Sequence, residues 1–139
     1  MLPEILYRAL RPAEIEAGCV LIPKAQKPFV AHPRLHQVLP FDLGLRVEHA
    51  VREHQWEGQF ETSGVSTTPH LSRARHYAKH KTIVEIDTSR FAACGITFHR
   101  VSDHVDGRLI CVPEDDEIIL THQGDTWFPK SVIKAVLRL

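Results

Sequence analysis

The chain has 139 residues, of which 43% are hydrophobic and 24% charged, so it can bury the core of one globular domain. Lys and Arg together number 17, as do Asp and Glu, and this balance predicts no bulk attraction to nucleic acid or anionic membrane. There is no apolar run of about 18 residues, so we expect no membrane span, and the N-terminus does not have the pattern of a secretory signal. The three cysteines are widely spaced without a C-x-x-C pair, which is typical of a cytoplasmic protein.

The first part of the chain predicts a strand, an irregular segment and a helix. Residues 4–10 form a short strand that Pro12 ends. Five prolines in residues 11–40 exclude a long helix there, although AEIEAG (13–18) could form a short helical turn. A long irregular segment of this kind often serves as a lid or a substrate-binding loop. Apolar residues return at helical spacing over residues 41–56.

From residue 64 onward the pattern is mostly that of β-structure. Ser66 lies in a strand that leads into a turn, and Thr68-Pro69 predicts a helix start with Thr68 as the N-cap, followed by helical spacing over residues 71–80. Four more strands are predicted at TIVEID (82–87), GITFHRV (95–101), EIIL (117–120) and SVIKAVLRL (131–139). Helices in the N-terminal half and a mostly antiparallel second half predict an α+β fold.

Three polar segments stand beside or within these apolar strands. Arg8 lies in ILYRAL, where a buried guanidinium needs an anion such as phosphate, unless it faces solvent or pairs with a core carboxylate. Residues 66–68 offer hydroxyls and backbone N–H groups that could hold a polar ligand or simply cap a helix. Residues 114–117 are four acids directly before a strand, which is either a solvated turn or the source of a carboxylate at a cleft.

Together, the segments resemble the ADP-ribosyltransferase fold in its arginine–serine–glutamate branch, typified by cholera toxin. LYRAL is similar to the arginine strand of that branch, GVSTTPHLSRARHYA to its Ser-Thr-Ser strand and following helix, and Glu117 before IIL to its catalytic glutamate. The third hydroxyl residue is Thr68 where the family's Ser-Thr-Ser pattern has serine, and Asp115 replaces the Glu or Gln that engages the acceptor in the family. The resemblance spans nearly the whole chain and implies one domain, 1–139, built as a split β-sandwich of two small, mostly antiparallel sheets with helices in the N-terminal half.

This resemblance implies a mono-ADP-ribosyltransferase that cleaves the nicotinamide–ribose bond of NAD and transfers ADP-ribose to a protein or nucleic acid. Proteins of this kind include bacterial toxins and effectors that act in the cytoplasm, in some cases of a target cell, and an inhibitor or antitoxin partner is a further expectation. Ser66 would position Glu117, Glu117 would bind the nicotinamide-ribose 2′-hydroxyl, and Asp115 would orient or deprotonate the acceptor. Glu114 is the rival for the catalytic glutamate but lies farther from the strand. The residues expected to bind NAD are Arg8 at the phosphates, Ser66, Thr67, Thr68, and a stacking aromatic chosen from Phe60, Tyr77 and Trp56.

Three alternatives remain open. With water as the acceptor, the protein would be an NAD glycohydrolase. A transferase that removes a 2′-phosphate from RNA shares the fold, but it would require several basic residues lining the cleft. If Glu117 faces solvent, away from Arg8 and Ser66, a catalytically inactive module that binds a nucleotide or a protein is favoured.

Two further patterns have simpler interpretations. His76 and His80 have a spacing that binds zinc on a helix, but without a third ligand we expect no metal. The basic stretch over residues 73–81 is interpreted as a solvated helix surface.

Overall fold

The computed structural model describes residues 2–24, 64–105, 108, 110, 112–122 and 127–139. The helix predicted over residues 41–56 lies outside the described residues, as do Trp56 and Phe60. The described part of the chain is α+β and forms two small antiparallel sheets with a few short helices. None of the helices in this part combines the length and apolar character that crossing a membrane requires.

The first sheet has the strand order β1-β3-β6, formed by β1 (Ile5–Ala9), β3 (Thr82–Asp87) and β6 (Ile133–Arg138). Its register pairs Arg8 with Val84. The second sheet has the order β2-β5-β4, formed by β2 (Val65–Thr67), β5 (Ile118–His122) and β4 (Ile96–Arg100). Each predicted strand is therefore confirmed, with bounds that differ by one or two residues at most ends, as expected for strand termini.

The two sheets share one hydrophobic core. Leu6 and Val84 of the first sheet and Ile118 and Leu120 of the second are fully buried in the same cluster. Period-two alternation in the sequence produces this arrangement, because it places apolar side chains on the face of each sheet that is turned toward the other.

Among the residues that the structure describes, β1 and β2 are edge strands of different sheets, and they meet at a single bridge. The Tyr7 N–H donates to the Thr68 carbonyl at 2.7 Å, and the Thr68 N–H donates to the Tyr7 carbonyl at 3.0 Å. Pairing does not extend beyond these two residues, so Arg8 on one strand and Ser66 on the other lie across an unpaired gap.

The described helices are α1 (Pro12–Glu16), α2 (Leu71–Tyr77), α3 (Phe91–Cys94) and α4 (Val101–His104). α1 confirms the helical turn predicted at residues 13–18. α3 and α4 are additional helices in the second half of the chain, where the sequence predicted mostly β-structure. Each has only four residues, which is too short for a helical hydrophobic period to show in the sequence.

The predicted start of α2 is also wrong. The N-cap is His70 rather than Thr68, and Pro69 precedes the helix instead of opening it. Thr68 is held extended by its bridge to Tyr7, and its hydroxyl accepts a hydrogen bond from the His70 N–H at 3.1 Å. The threonine thus stabilises the turn before the helix, because its backbone belongs to the contact between the sheets.

Candidate functional site

The segments singled out in the sequence converge on one cavity of about 300 Å³ between the two sheets. β1 and β2 supply one wall, and the turn before β5 supplies another. The lining includes Arg8, Ser66, Thr67, Thr68, Asp115 and Glu117.

Ser66 and Glu117 are directly bonded in this cavity. The Ser66 hydroxyl donates to the Glu117 carboxylate, with 2.5 Å between Oγ and Oε2. β2 alternates, so Val65 and Thr67 are buried while Ser66 is half-buried at the cavity wall. The Glu117 carbonyl accepts from the Val101 N–H at 3.0 Å, which fixes the backbone just before β5. The short charge-assisted hydrogen bond holds the carboxylate at the cavity.

Glu114, the rival glutamate, has a different environment. It is exposed within a 3₁₀ turn over Pro113–Asp115, and it does not line the cavity. Of the two glutamates, only Glu117 is close enough to Ser66 to act with it.

Arg8 is almost completely enclosed and binds two protein acceptors. Its Nε donates to Oε2 of Glu14 at 3.0 Å, its Nη2 donates to Oε1 of Glu14 at 3.0 Å, and its Nη1 donates to the Ser66 carbonyl at 2.8 Å. Only 12% of the side chain is exposed. The arginine therefore pairs with a core carboxylate, one of the alternatives open from the sequence, and also lines the cavity. The second N–H of each terminal nitrogen is the donor that a ligand phosphate could take.

Glu14 is the residue that the sequence did not reveal. Its side chain is fully buried, and it accepts from Arg8, from the Arg11 backbone N–H at 3.0 Å and from the Ile22 backbone N–H at 3.1 Å. These donors offset the cost of burying a carboxylate. The available signal was its position three residues after the N-cap Arg11, where a glutamate commonly reaches back to the backbone.

Asp115 is held by two donors from α2. Its carboxylate accepts from Nε of Arg73 at 2.7 Å and from the Tyr77 hydroxyl at 2.6 Å, while its carbonyl accepts from the Thr68 hydroxyl at 2.6 Å. The Arg73 guanidinium also lies 5.6 Å from the centre of the Tyr77 ring. We call Asp115, Arg73 and Tyr77 the Asp115 cluster; it binds the turn before β5 to α2.

The cluster changes the acidity of its members. Partial burial and the hydrogen bond to Asp115 raise the pKa of the Tyr77 phenol, and the hydrogen bond to Asp115 raises the pKa of Arg73. Tyr77 therefore stays protonated and remains a hydrogen-bond donor to Asp115 at neutral pH.

The other residues expected to bind NAD have mixed placements. Tyr77 lines the cavity with 44% of its surface exposed, so it is available for stacking, whereas Phe60 and Trp56 lie outside the described residues. The Thr67 hydroxyl donates to the Ile118 carbonyl at 2.7 Å, and Thr68 binds the Asp115 carbonyl. Both threonines line the cavity, but their hydroxyls join β2 to the segment around β5.

His76 and His80 do not have the helical spacing that could bind zinc. His80 lies beyond the end of α2 at Tyr77, so His76 and His80 do not stand one helical turn apart. The His76 ring packs edge-on against Tyr77, with 5.1 Å between ring centres. Among the residues that the structure describes, no three His, Cys, Asp or Glu side chains are grouped to hold a metal ion.

Comparison with known proteins assigns no family to the chain, because no protein-family model matches it and no curated protein matches it in sequence. Function is therefore inferred from the residues, distances and charges of the cavity.

Proposed function

We propose that the protein is an NAD-dependent mono-ADP-ribosyltransferase with the split β-sandwich of that fold. The observation that carries the proposal is the Ser66–Glu117 hydrogen bond in a cavity that Arg8 also lines. These residues come from three distant segments and meet at one concave site, the kind of place in which ligand-binding residues converge. A toxin or effector role in the cytoplasm, under an inhibitor partner, is part of the same proposal.

The reaction begins with cleavage of the bond between the nicotinamide nitrogen and the ribose anomeric carbon. The bonding electron pair leaves with nicotinamide, which becomes neutral, and positive charge develops on the ribose as an oxocarbenium-like state. The Glu117 carboxylate accepts a hydrogen bond from the ribose 2′-hydroxyl and stabilises that charge. Because the carboxylate is already fixed by Ser66, it needs little reorganisation as the charge develops.

Arg8 and Glu14 provide the binding part of the mechanism. Glu14 fixes the guanidinium through Nε and Nη2, and the Ser66 carbonyl fixes it through Nη1, so the arginine is held at the cavity before NAD arrives. A diphosphate held there places the nicotinamide ribose toward Glu117. Pre-orientation of this kind reduces the conformational entropy that is lost on binding.

Transfer is completed when a nucleophile attacks the anomeric carbon and loses its proton. Asp115 is the proposed residue that orients this acceptor or takes the proton. Arg73 and Tyr77 occupy part of its acceptor capacity, and an ionised carboxylate has roughly four acceptor positions, so a further donor can still approach. Water in place of the acceptor gives the NAD glycohydrolase reaction.

The other two alternatives have less support. An inactive binding module is favoured if Glu117 faces solvent, away from Arg8 and Ser66, whereas its carboxylate accepts from Ser66 and all three residues line the cavity. Removal of a 2′-phosphate from RNA requires an excess of positive charge in the cleft. Arg8, Arg11 and Lys24 line the cavity, but the two arginines lie within ion-pair distance of the Glu14 carboxylate, and Asp115 and Glu117 line the same cavity, which lowers that excess.

Glu117→Gln tests the proposal. With NAD as substrate, we expect nicotinamide release to fall on the order of 10²–10³-fold, because a neutral amide cannot offset the charge of the transition state. The side-chain volume is kept, so the folded state should persist by circular dichroism. The matched control is Glu114→Gln, an exposed acid on the preceding turn, which should release nicotinamide like the wild type. Release that is unaffected by Glu117→Gln would overturn the mechanism.

A second measurement distinguishes transfer of ADP-ribose to a macromolecule from hydrolysis of NAD. NAD labelled in its adenosine part is incubated with the protein, with and without cell extract. Label attached to macromolecules indicates a transferase, and nicotinamide release without attached label indicates a glycohydrolase.

A further inference from the structure

A strongly basic stretch follows β2 and is not used by the cavity chemistry. Residues 64–84 contain no Asp or Glu, but they contain four Lys or Arg and three His residues. All of these except Arg73 are exposed. We call the five that follow Ala74 the α2 basic surface, namely Arg75, His76, Lys79, His80 and Lys81.

The packing of α2 separates this surface from the cavity face of the helix. Ala74 is buried toward the cavity and β1, and Arg73 and Tyr77 turn toward Asp115. Arg75 is exposed on α2 itself, and Lys79 and Lys81 are exposed in the segment that follows the end of the helix at Tyr77. Within the described part of the chain, Arg75, Lys79 and Lys81 make no ion pair. Their positive charge is therefore available to a partner.

Tyr77 connects the basic surface to the cavity. It lines the cavity, 44% of its surface is exposed, and the His76 ring packs against it. An exposed aromatic ring beside a row of cations is the combination that binds single-stranded nucleic acid, since the cations contact phosphates while the ring stacks on a base.

We propose that the α2 basic surface binds single-stranded nucleic acid, and that a nucleobase at its cavity end is the ADP-ribose acceptor. The second part rests on the proposed transferase function. In that step, a bond forms between a nitrogen or oxygen of the base and the ribose anomeric carbon, the bond to nicotinamide breaks with its electron pair, and the base loses a proton to Asp115 or water. Asp115 already pairs with the Arg73 guanidinium, so an arginine acceptor would bring a second positive charge close to the first. This disfavours arginine and leaves room for an uncharged donor such as a base amino group.

Binding is measured first, without NAD, by fluorescence anisotropy with a labelled single strand of about 16 nucleotides, as RNA and as DNA. Affinity should fall steeply with salt, because phosphate contacts release counterions. Arg75→Gln/Lys79→Gln should weaken binding on the order of tenfold and reduce the slope of log K against log salt by about 1.4, as two lost phosphate contacts predict. Neither residue lines the cavity, so nicotinamide release to water should be unchanged.

The matched control is Arg90→Gln/Lys134→Gln. It removes the same charge from two exposed side chains near Asp87, the last residue of β3, whereas Lys81 directly precedes the first residue of that strand. Binding by this variant should equal that of the wild type. Tyr77→Leu should lose roughly tenfold in affinity, while Tyr77→Phe, which keeps the ring, should lose much less.

The results distinguish the proposed binding surface from the proposed transferase function and its nucleobase acceptor. No binding, equal binding by the two double variants, or equal binding to duplex DNA would overturn the single-strand surface. Label that is transferred from NAD to protein, and that nuclease does not remove, would overturn the nucleic-acid acceptor in favour of a protein acceptor. If the wild type binds the strand but does not cleave NAD, the transferase function and the acceptor fail while the binding surface stands.

Discussion

At the scale of single residues, the site is defined by what fixes each charged group. Glu117 is held by the Ser66 hydroxyl, and Arg8 is held by Glu14 and by the Ser66 carbonyl. Ser66 therefore contacts both proposed functional residues, one through its side chain and the other through its backbone. Ser66 therefore does more than end β2, because its carbonyl and hydroxyl oxygens set the spacing between the Arg8 guanidinium and the Glu117 carboxylate.

Ser66→Ala separates these two contacts. The backbone bond to Arg8 is kept and the hydroxyl bond to Glu117 is lost, so we expect kcat for nicotinamide release to fall on the order of tenfold to hundredfold with little change in KM for NAD. Steady-state kinetics measure both constants. The control is Ser72→Ala on the exposed part of α2, which should behave as the wild type. A change confined to KM would mean that Ser66 binds substrate rather than positioning Glu117.

At the scale of elements, the short helix α1 determines how β1 presents its arginine. Only five residues are helical, yet the helix buries Glu14 completely beneath Arg8. The carboxylate also accepts the Ile22 N–H, so it fixes the start of the segment that follows the helix. A polar group inside the fold thus connects β1, α1 and the chain beyond it.

Glu14→Gln should lower the free energy of unfolding by about 3 kcal/mol, because removing one partner of a buried pair leaves the other charge uncompensated. Urea denaturation monitored by tryptophan fluorescence or circular dichroism measures the change. Glu16→Gln, two positions later on the same helix and exposed, should change the stability by less than about 0.5 kcal/mol. Equal effects of the two substitutions would show that the buried pair contributes nothing specific.

At the scale of the whole molecule, two three-stranded sheets are joined by a shared core, one backbone bridge and hydrogen bonds across the cavity. Ion pairs between segments distant in the sequence add to these contacts. Arg100 at the end of β4 binds Asp116, which has a left-handed backbone with φ of 46° just before Glu117. The hydrogen bonds from Arg100 lower the pKa of Asp116. Global stability should therefore contain an acid-sensitive component from this pair.

The direction of the pH dependence of stability follows from the lowered pKa of Asp116. Asp116 contributes stability above its unfolded pKa of about 3.9, and the contribution is lost as the pH falls through the lower folded value. Asp116→Asn, which tolerates the left-handed backbone, should be less stable than the wild type at pH near 6, and the two should converge as the pH falls below about 3. Urea denaturation across this range measures the difference. A difference that stays constant with pH would exclude the ion pair as its source.

The local sequence pattern was sufficient to predict the strands and the order in which the segments of the candidate site follow one another along the chain. TIVEID and SVIKAVLRL alternate over enough residues to define β3 and β6, and the five residues of α1 lie where the helical turn was expected. α3 and α4, with four residues each, are too short for any periodicity to reveal. The Thr68 N-cap prediction failed because a long-range bridge to Tyr7 determines the backbone there.

The sequence by itself determined which polar residues stand on apolar strands, namely Arg8, Ser66 and Glu117, because polarity and alternation are local properties. Only the tertiary structure decided that Ser66 and Glu117, 51 positions apart, share a 2.5 Å hydrogen bond. It also decided that Glu14 lies beneath Arg8 and that Asp115 is held by Arg73 and Tyr77. Such partners are selected by the pairing of strands and the closing of sheets, which bring together side chains that no spacing along the chain relates.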